Sequence, residues 1–258
     1  MTLFRPTSKK SAPQGAAFYA EPKFLARPRL REWWTLLHPP YTMLHLSFVT
    51  IGACLVGPTN AVYLVVTLAA FFLGLGVGAH ALDELMGRPL ATSIPKGQLI
   101  AASVLGLGGA TALGVVGMVE VSPYLAIFIV VGVVIALGYN LELFHARLHT
   151  DVVFALGWGA FPLLTAYFAQ HVALNVTALL GGAFAALISH TQRQLSGPAR
   201  DIRRRTDTIE GSQVLNDGTV LPLSATSLLR PLEGALRTLC WAPTILALAL
   251  VWARYQPH

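Results

Sequence analysis

Apolar runs of membrane-spanning length recur along this chain, and the charged residues are crowded into alternate connections between them. The runs cover roughly 41–57, 60–82, 97–119, 123–139, 152–169, 172–190 and 235–254. A bilayer core about 30 Å thick takes about 20 apolar residues of helix. In lipid, every backbone group must find its partner inside the element, so runs of this kind fold as helices. The expected class is therefore all-α, a polytopic membrane protein with about seven transmembrane helices. The turns at 58–59, 120–122 and 170–171 carry no Lys or Arg, whereas 83–96, 140–151 and 191–234 carry nearly all the inter-helix basic residues. Positive charge favours the cytoplasmic side. The three basic loops and the N-terminus are thus expected in the cytoplasm and the C-terminus outside, in a cell membrane.

Composition excludes the competing classes. Charged residues make up 12% of the chain and apolar residues 54%, about half the charge of a soluble domain. The net charge of +6 does not imply a nucleic-acid partner, because the basic residues lie in an N-terminal arm and in loops that would face anionic lipid. Residues 1–40 read as a cytoplasmic arm, with no signal peptide, ending in an interfacial helix around Trp33 and Trp34. Residues 41–258 read as the transmembrane helical domain. Cys54 and Cys240 both lie in apolar runs and suggest neither a disulfide nor a metal site. In the last loop, 222–236 is expected as an amphipathic or re-entrant segment. Pro231 and Pro243 argue against one straight helix from 226 to 254, though a kinked one is possible.

Ionisable residues at membrane depth are costly and are functional candidates. Here they fall at one level, the cytoplasmic ends of the runs. His45 starts the first. His80, Asp83 and Glu84 end the second, spaced three and four apart so that all can share a helix face. Tyr139, Asn140, His145, His149 and Asp151 occupy the loop after the fourth. His190, Gln192 and Arg193 close the sixth, with Arg200 beyond. One nitrogen and two carboxylates from the His80 group could ligate a metal, and His145, His149, Asp151 and His190 could complete the site. Plainer roles stand beside these. His45 could be a packing residue, the acids could pair with Arg88 or Lys96, and His149 and Asp151 could cap the next helix.

The stretch Ala79-His80-Ala-Leu-Asp83-Glu84-Leu-Met-Gly87-Arg88-Pro89-Leu90 resembles the first acidic motif of the UbiA superfamily of intramembrane prenyltransferases. Tyr139-Asn140 and Phe154-Ala-Leu-Gly157-Trp158-Gly159-Ala-Phe-Pro162 look like that family's passage from fourth to fifth helix. The resemblance covers 38 to about 205. It implies a UbiA-like bundle in which two acidic motifs hold Mg²⁺ and an isoprenyl diphosphate beneath a cytoplasmic cap, while a lipid tunnel receives the prenyl chain. It further implies Arg88, Lys96, Gln192, Arg193 and Arg200 as substrate contacts, and His80, Asp83, Glu84, Tyr139 and Asn140 as catalytic residues. His80 stands where the motif has an Asp, Ala79 where it has an Asn, and the second motif keeps Asp201 alone.

Three chemistries follow from that exchange. The first is a metal-assisted prenyl transfer or cyclisation on an isoprenoid or other lipid. The second is an Fe, Zn or Mn centre, since imidazole favours these ions over Mg²⁺, doing redox or hydrolytic work on a lipid. The third has no metal, with His80 and Asp83 as an acid–base pair. Outside enzymes, a lipid-binding or transport protein would show the same spans.

Overall fold

Most of the described helices begin where the sequence supplies a cap or a proline. The computed structural model describes residues 25–143 and 145–256. The arm as far as residue 24, with Lys9, Lys10 and Lys23, lies outside the described residues, as does His258. Helix α1 spans Pro28–Leu37. His38 adopts a left-handed conformation, and Pro39 and Pro40 open α2, Pro39–Cys54, because proline at the first helical turn forgoes no hydrogen bond. Asn60 caps α3, Ala61–Leu85, by accepting from the Val62 and Tyr63 amides. Helices α4 (Lys96–Glu120) and α5 (Leu125–Asn140) follow. Thr150 caps α6, Asp151–His171, and Asn175 caps α7, Val176–Arg204. A short antiparallel ribbon pairs β1, Ser212–Val214, with β2, Val220–Pro222. Ser224 and Ser227 then form a reciprocal capping box at the start of α8, Ala225–Tyr255.

Four of these helices, α3, α4, α6 and α8, are long and apolar enough to cross a membrane. Helix α5 is apolar but has only 16 residues. Large aliphatic side chains such as Val104, Leu105, Val119 and Leu180 are exposed along the helices. Contiguous apolar surface of this kind suits lipid rather than water. The protein is a helical membrane protein.

Contacts at the helix ends show that α2 to α8 run alternately in opposite directions. At one end, Leu36, Ala81, Ile94 and Leu99 pack together, joining α1, the end of α3 and the start of α4. At the same end Tyr139 of α5 stacks on His149, and Arg193 of α7 pairs with Asp151 of α6. Arg203 of α7 pairs with Glu233 of α8 there as well. At the other end Arg254 donates to the Cys54 carbonyl at 3.0 Å, and the Asn60 amide donates to Gln170 at 2.9 Å. The core between them centres on Leu44, Phe48, Ile51, Leu163 and Ala185.

Glycine sets the closest helix approaches. A methyl group on Gly106 of α4 would sit 2.6 Å from the Leu73 carbonyl and 2.7 Å from the Gly78 amide of α3. On Gly159 of α6 it would collide with the Ala185 carbonyl of α7. Helices pack through small residues in this way where lipid supplies no hydrophobic drive.

The expected 222–236 segment is not a separate re-entrant piece. Pro222 ends β2, and 225–236 form the first turns of α8, which continues through Pro231 and Pro243. Likewise 191–204 is not loop but the continuation of α7.

Candidate functional site

Helices α3 and α6 each contain a π-helical segment, Phe72–Ala79 and Ala155–Ala160. Within them, backbone carbonyls lose their usual donors, and histidines replace those donors. The Trp158 carbonyl would receive an amide from residue 162, but that residue is Pro162, which has no N–H. The buried His45 of α2 supplies the bond instead, its Nδ1 lying 2.7 Å from the Trp158 oxygen. The His80 amide turns to Val77, and the His80 ring bonds the released Gly76 carbonyl through Nδ1 at 3.0 Å. His149 Nδ1 reaches the Tyr139 carbonyl at 3.2 Å. A carbonyl only accepts, so each Nδ1 carries a proton. His45 is thus a buried, hydrogen-bonded link between α2 and α6.

Glu84 is fully buried and faces its own loop. Its Oε2 accepts from the Leu90 amide at 2.9 Å, and its Oε1 from the Thr92 amide at 2.9 Å and the Thr92 hydroxyl at 2.8 Å. Arg88 is not its partner: that guanidinium donates to the Thr92 and Ile94 carbonyls of the same loop. Asp83, by contrast, lies within electrostatic reach of Arg193, Arg200 and His149. His80 packs against His38, with ring centroids 5.1 Å apart.

Two of the expected groups come together only in part. Residues 141–143 and 145–148 form turns rather than a helix, so His145 and His149 do not share a helix face. His145 is exposed in a left-handed conformation. His190 engages Gln194 along α7 through its Nε2. Asp151 pairs with Arg193, whose guanidinium also lies over the Phe154 ring at 5.4 Å. Asn140 is buried but donates back to the Ala136 carbonyl. Gln192 is buried beside Tyr41, while Lys96 is exposed at the start of α4.

Most of the expected metal ligands are engaged elsewhere, Asp83 excepted. Both Glu84 oxygens are engaged by the 90–92 segment, Asp151 is ion-paired, and His145 stands apart on the surface. Among the described residues, no three His, Cys, Asp or Glu side chains are gathered as ligands would be.

What does converge is an aromatic and cationic cup. Tyr139, Phe154 and Trp158 pack against one another, with His149 stacked on Tyr139 at a centroid distance of 4.3 Å. The Tyr139 hydroxyl is buried with no hydrogen-bond partner among the described residues. Arg193, Arg200, Asp83 and Asp151 all act on it electrostatically. Directly beneath lies an apolar cavity of about 230 Å³ between α3, α4, α5 and α6. It reaches from Tyr63 and Glu120 at the far end to Ala79 and Trp158 at the cup. Along α3 that is Val62 to Ala79, roughly 25 Å at the rise of a helix. Trp158 and Arg204 were not among the expected site residues. The signal for Arg204 was its place in the series Arg193, Arg200, Arg204, which repeats at helical spacing.

No protein-family model matches this chain, and no curated protein or solved structure does either.

Proposed function

We propose that this protein is a membrane-embedded, UbiA-like enzyme that acts on an isoprenoid or comparable lipid bearing a diphosphate head. The observation that carries this reading is that the apolar cavity shares Trp158 with the aromatic cup, over whose Phe154 ring Arg193 lies. A long hydrocarbon chain matches the cavity, whose lining is almost wholly aliphatic and aromatic. An anionic head matches the guanidiniums above it.

In the proposed reaction the allylic carbon–oxygen bond breaks, and its electron pair leaves with the diphosphate. The allylic cation is captured either by an acceptor or by a double bond of its own chain, and a proton is then lost. The faces of Tyr139 and Trp158 lie where the cation would form, and aromatic faces attract cations. His149, stacked on Tyr139, would take the released proton. Arg193 and Arg200 would hold the departing anion. The finer topology belongs to the same proposal: seven spans, with the cup and the N-terminus cytoplasmic and the C-terminus outside the cell membrane.

The test is release of diphosphate from allylic isoprenyl diphosphates of increasing chain length by the purified protein in lipid. Release that disappears in Trp158→Ala, with helicity retained, is expected. Tight binding of the lipids with no release at any length would assign a lipid carrier instead and overturn the enzyme reading.

A further inference from the structure

Three of the arginines of α7, Arg193, Arg200 and Arg204, are spaced seven and four residues apart, which places them on one stripe of the helix. Arg193, the first of them, lies over the Phe154 ring of the cup and pairs with Asp151. Arg193 and Arg200 both act on Asp83 and on the Tyr139 hydroxyl. Arg200 and Arg204 both act on His38, and Arg204 acts on Asp83 and Glu84 as well. Like charges four apart on a helix repel one another, so the stripe is unfavourable until an anion joins it. The carboxylates offset it incompletely, because Glu84 is turned to its loop and Asp151 is paired with Arg193, which leaves Asp83 facing three guanidiniums. The buried Tyr139 hydroxyl is an independent sign, a donor among guanidiniums with no acceptor among the described residues.

We infer that Arg193, Arg200 and Arg204, with the Tyr139 hydroxyl, form a clamp that holds a diphosphate group directly, without a bridging metal ion. The inference rests on the reading of the cup as a diphosphate chamber and names how that chamber works. Guanidinium suits the task, since its planar fork bonds two phosphate oxygens at once and its charge does not titrate. Of the carboxylates that would carry a metal, Glu84 is engaged with the 90–92 segment and Asp151 with Arg193, which leaves Asp83 as the one within reach of the arginines. Arginine therefore takes over the neutralisation that a metal would supply. Arg193, held by Asp151 and by the Phe154 face, is the fixed member. Arg200 and Arg204 are exposed and close over the head group.

The experiment uses the full chain in nanodiscs of zwitterionic lipid, with inorganic diphosphate as the probe and calorimetry as the readout. Binding is expected in excess EDTA, with Mg²⁺ changing the affinity by no more than about threefold, since the arginine contacts do not require it. The double variant Arg200→Ala/Arg204→Ala is expected to weaken binding by about tenfold or more, the scale of lost charge-assisted bonds. Both side chains are exposed, so the variant should keep its helicity and melting temperature. Tyr139→Phe is expected to weaken binding several-fold in the same EDTA buffer. A diphosphate carrying a long alkyl chain should bind more tightly than the inorganic ion if a lipid is the natural source, and equally if free diphosphate is.

Binding that requires Mg²⁺, or that the double variant leaves unchanged, overturns the clamp. Turnover of an allylic diphosphate only with Mg²⁺ would sink the clamp and leave the enzyme reading standing. Binding in EDTA with no turnover of any chain would do the reverse.

Discussion

Glu84 is a fully buried carboxylate that accepts three hydrogen bonds from Leu90 and Thr92. Its place is structural, and removing it leaves two backbone amides without an acceptor. Glu84→Ala should therefore lower stability by about 3 kcal/mol, the scale of hydrogen bonds to a buried charge. Thermal unfolding in detergent measures this, and an equal loss with and without added divalent metal is expected. Glu32 acts on the same loop from α1, accepting from the Ser93 amide at 2.8 Å. Its hydrogen bonds to Ser93 hold its carboxyl below the ordinary range. A lowered acid contributes its stability above the unfolded-state pKa and loses it as the pH falls through the folded one. Hydrogen exchange at Ser93 should thus quicken only below the usual carboxylate range, and Glu32→Gln should remove that dependence. The sequence showed that His80, Asp83 and Glu84 share a helix end. It did not show that the acids face opposite ways, because that depends on a loop folding back six to eight residues later.

At the scale of elements, the pairing of His45 with the Trp158 carbonyl joins α2 to the π segment of α6. The bond exists because Pro162 withholds the amide that an α-helix would have offered. His45→Phe should cost about 1–3 kcal/mol by leaving a buried carbonyl unbonded. Pro162→Ala should recover part of that loss in the double variant, since it restores a donor along the helix. A double-mutant cycle on thermal stability checks the coupling, and strict additivity would refute it. Most helices were legible from their apolar runs, and Asn60, Thr150 and Asn175 begin theirs as side-chain caps. The π segments were not legible, since they follow from packing across helices rather than from any local pattern. Nor was the length of α7 clear, because the polar stretch 191–204 reads as loop when only hydropathy is considered. Its arginines have a helical spacing that only becomes visible once the helix is known to continue.

For the molecule as a whole, the alternation of helices puts the ribbon and the segment at 172–175 at opposite ends of the bundle. Ser212→Cys should react with an impermeant maleimide only from the cytoplasm, and Ala173→Cys only from outside. Cys54 and Cys240 are buried and should stay silent. Labelling of both sites from one side would refute the alternating topology. The gathering of polar residues at one end was evident from charge placement alone. The cavity was not, because its walls are ordinary apolar positions drawn from four helices. The ribbon itself has a consequence of a different kind. Every residue of both strands is exposed, and its tight turn at Asn216-Asp217-Gly218 joins α7 to α8 over the outside of the bundle. Helix α8, in turn, is held by α2 and α7 along its length. The chain can therefore be divided at that turn into two separately made pieces that find each other in the bilayer. Co-expression of 1–216 with 217–258 should yield a complex that copurifies through a tag on either piece.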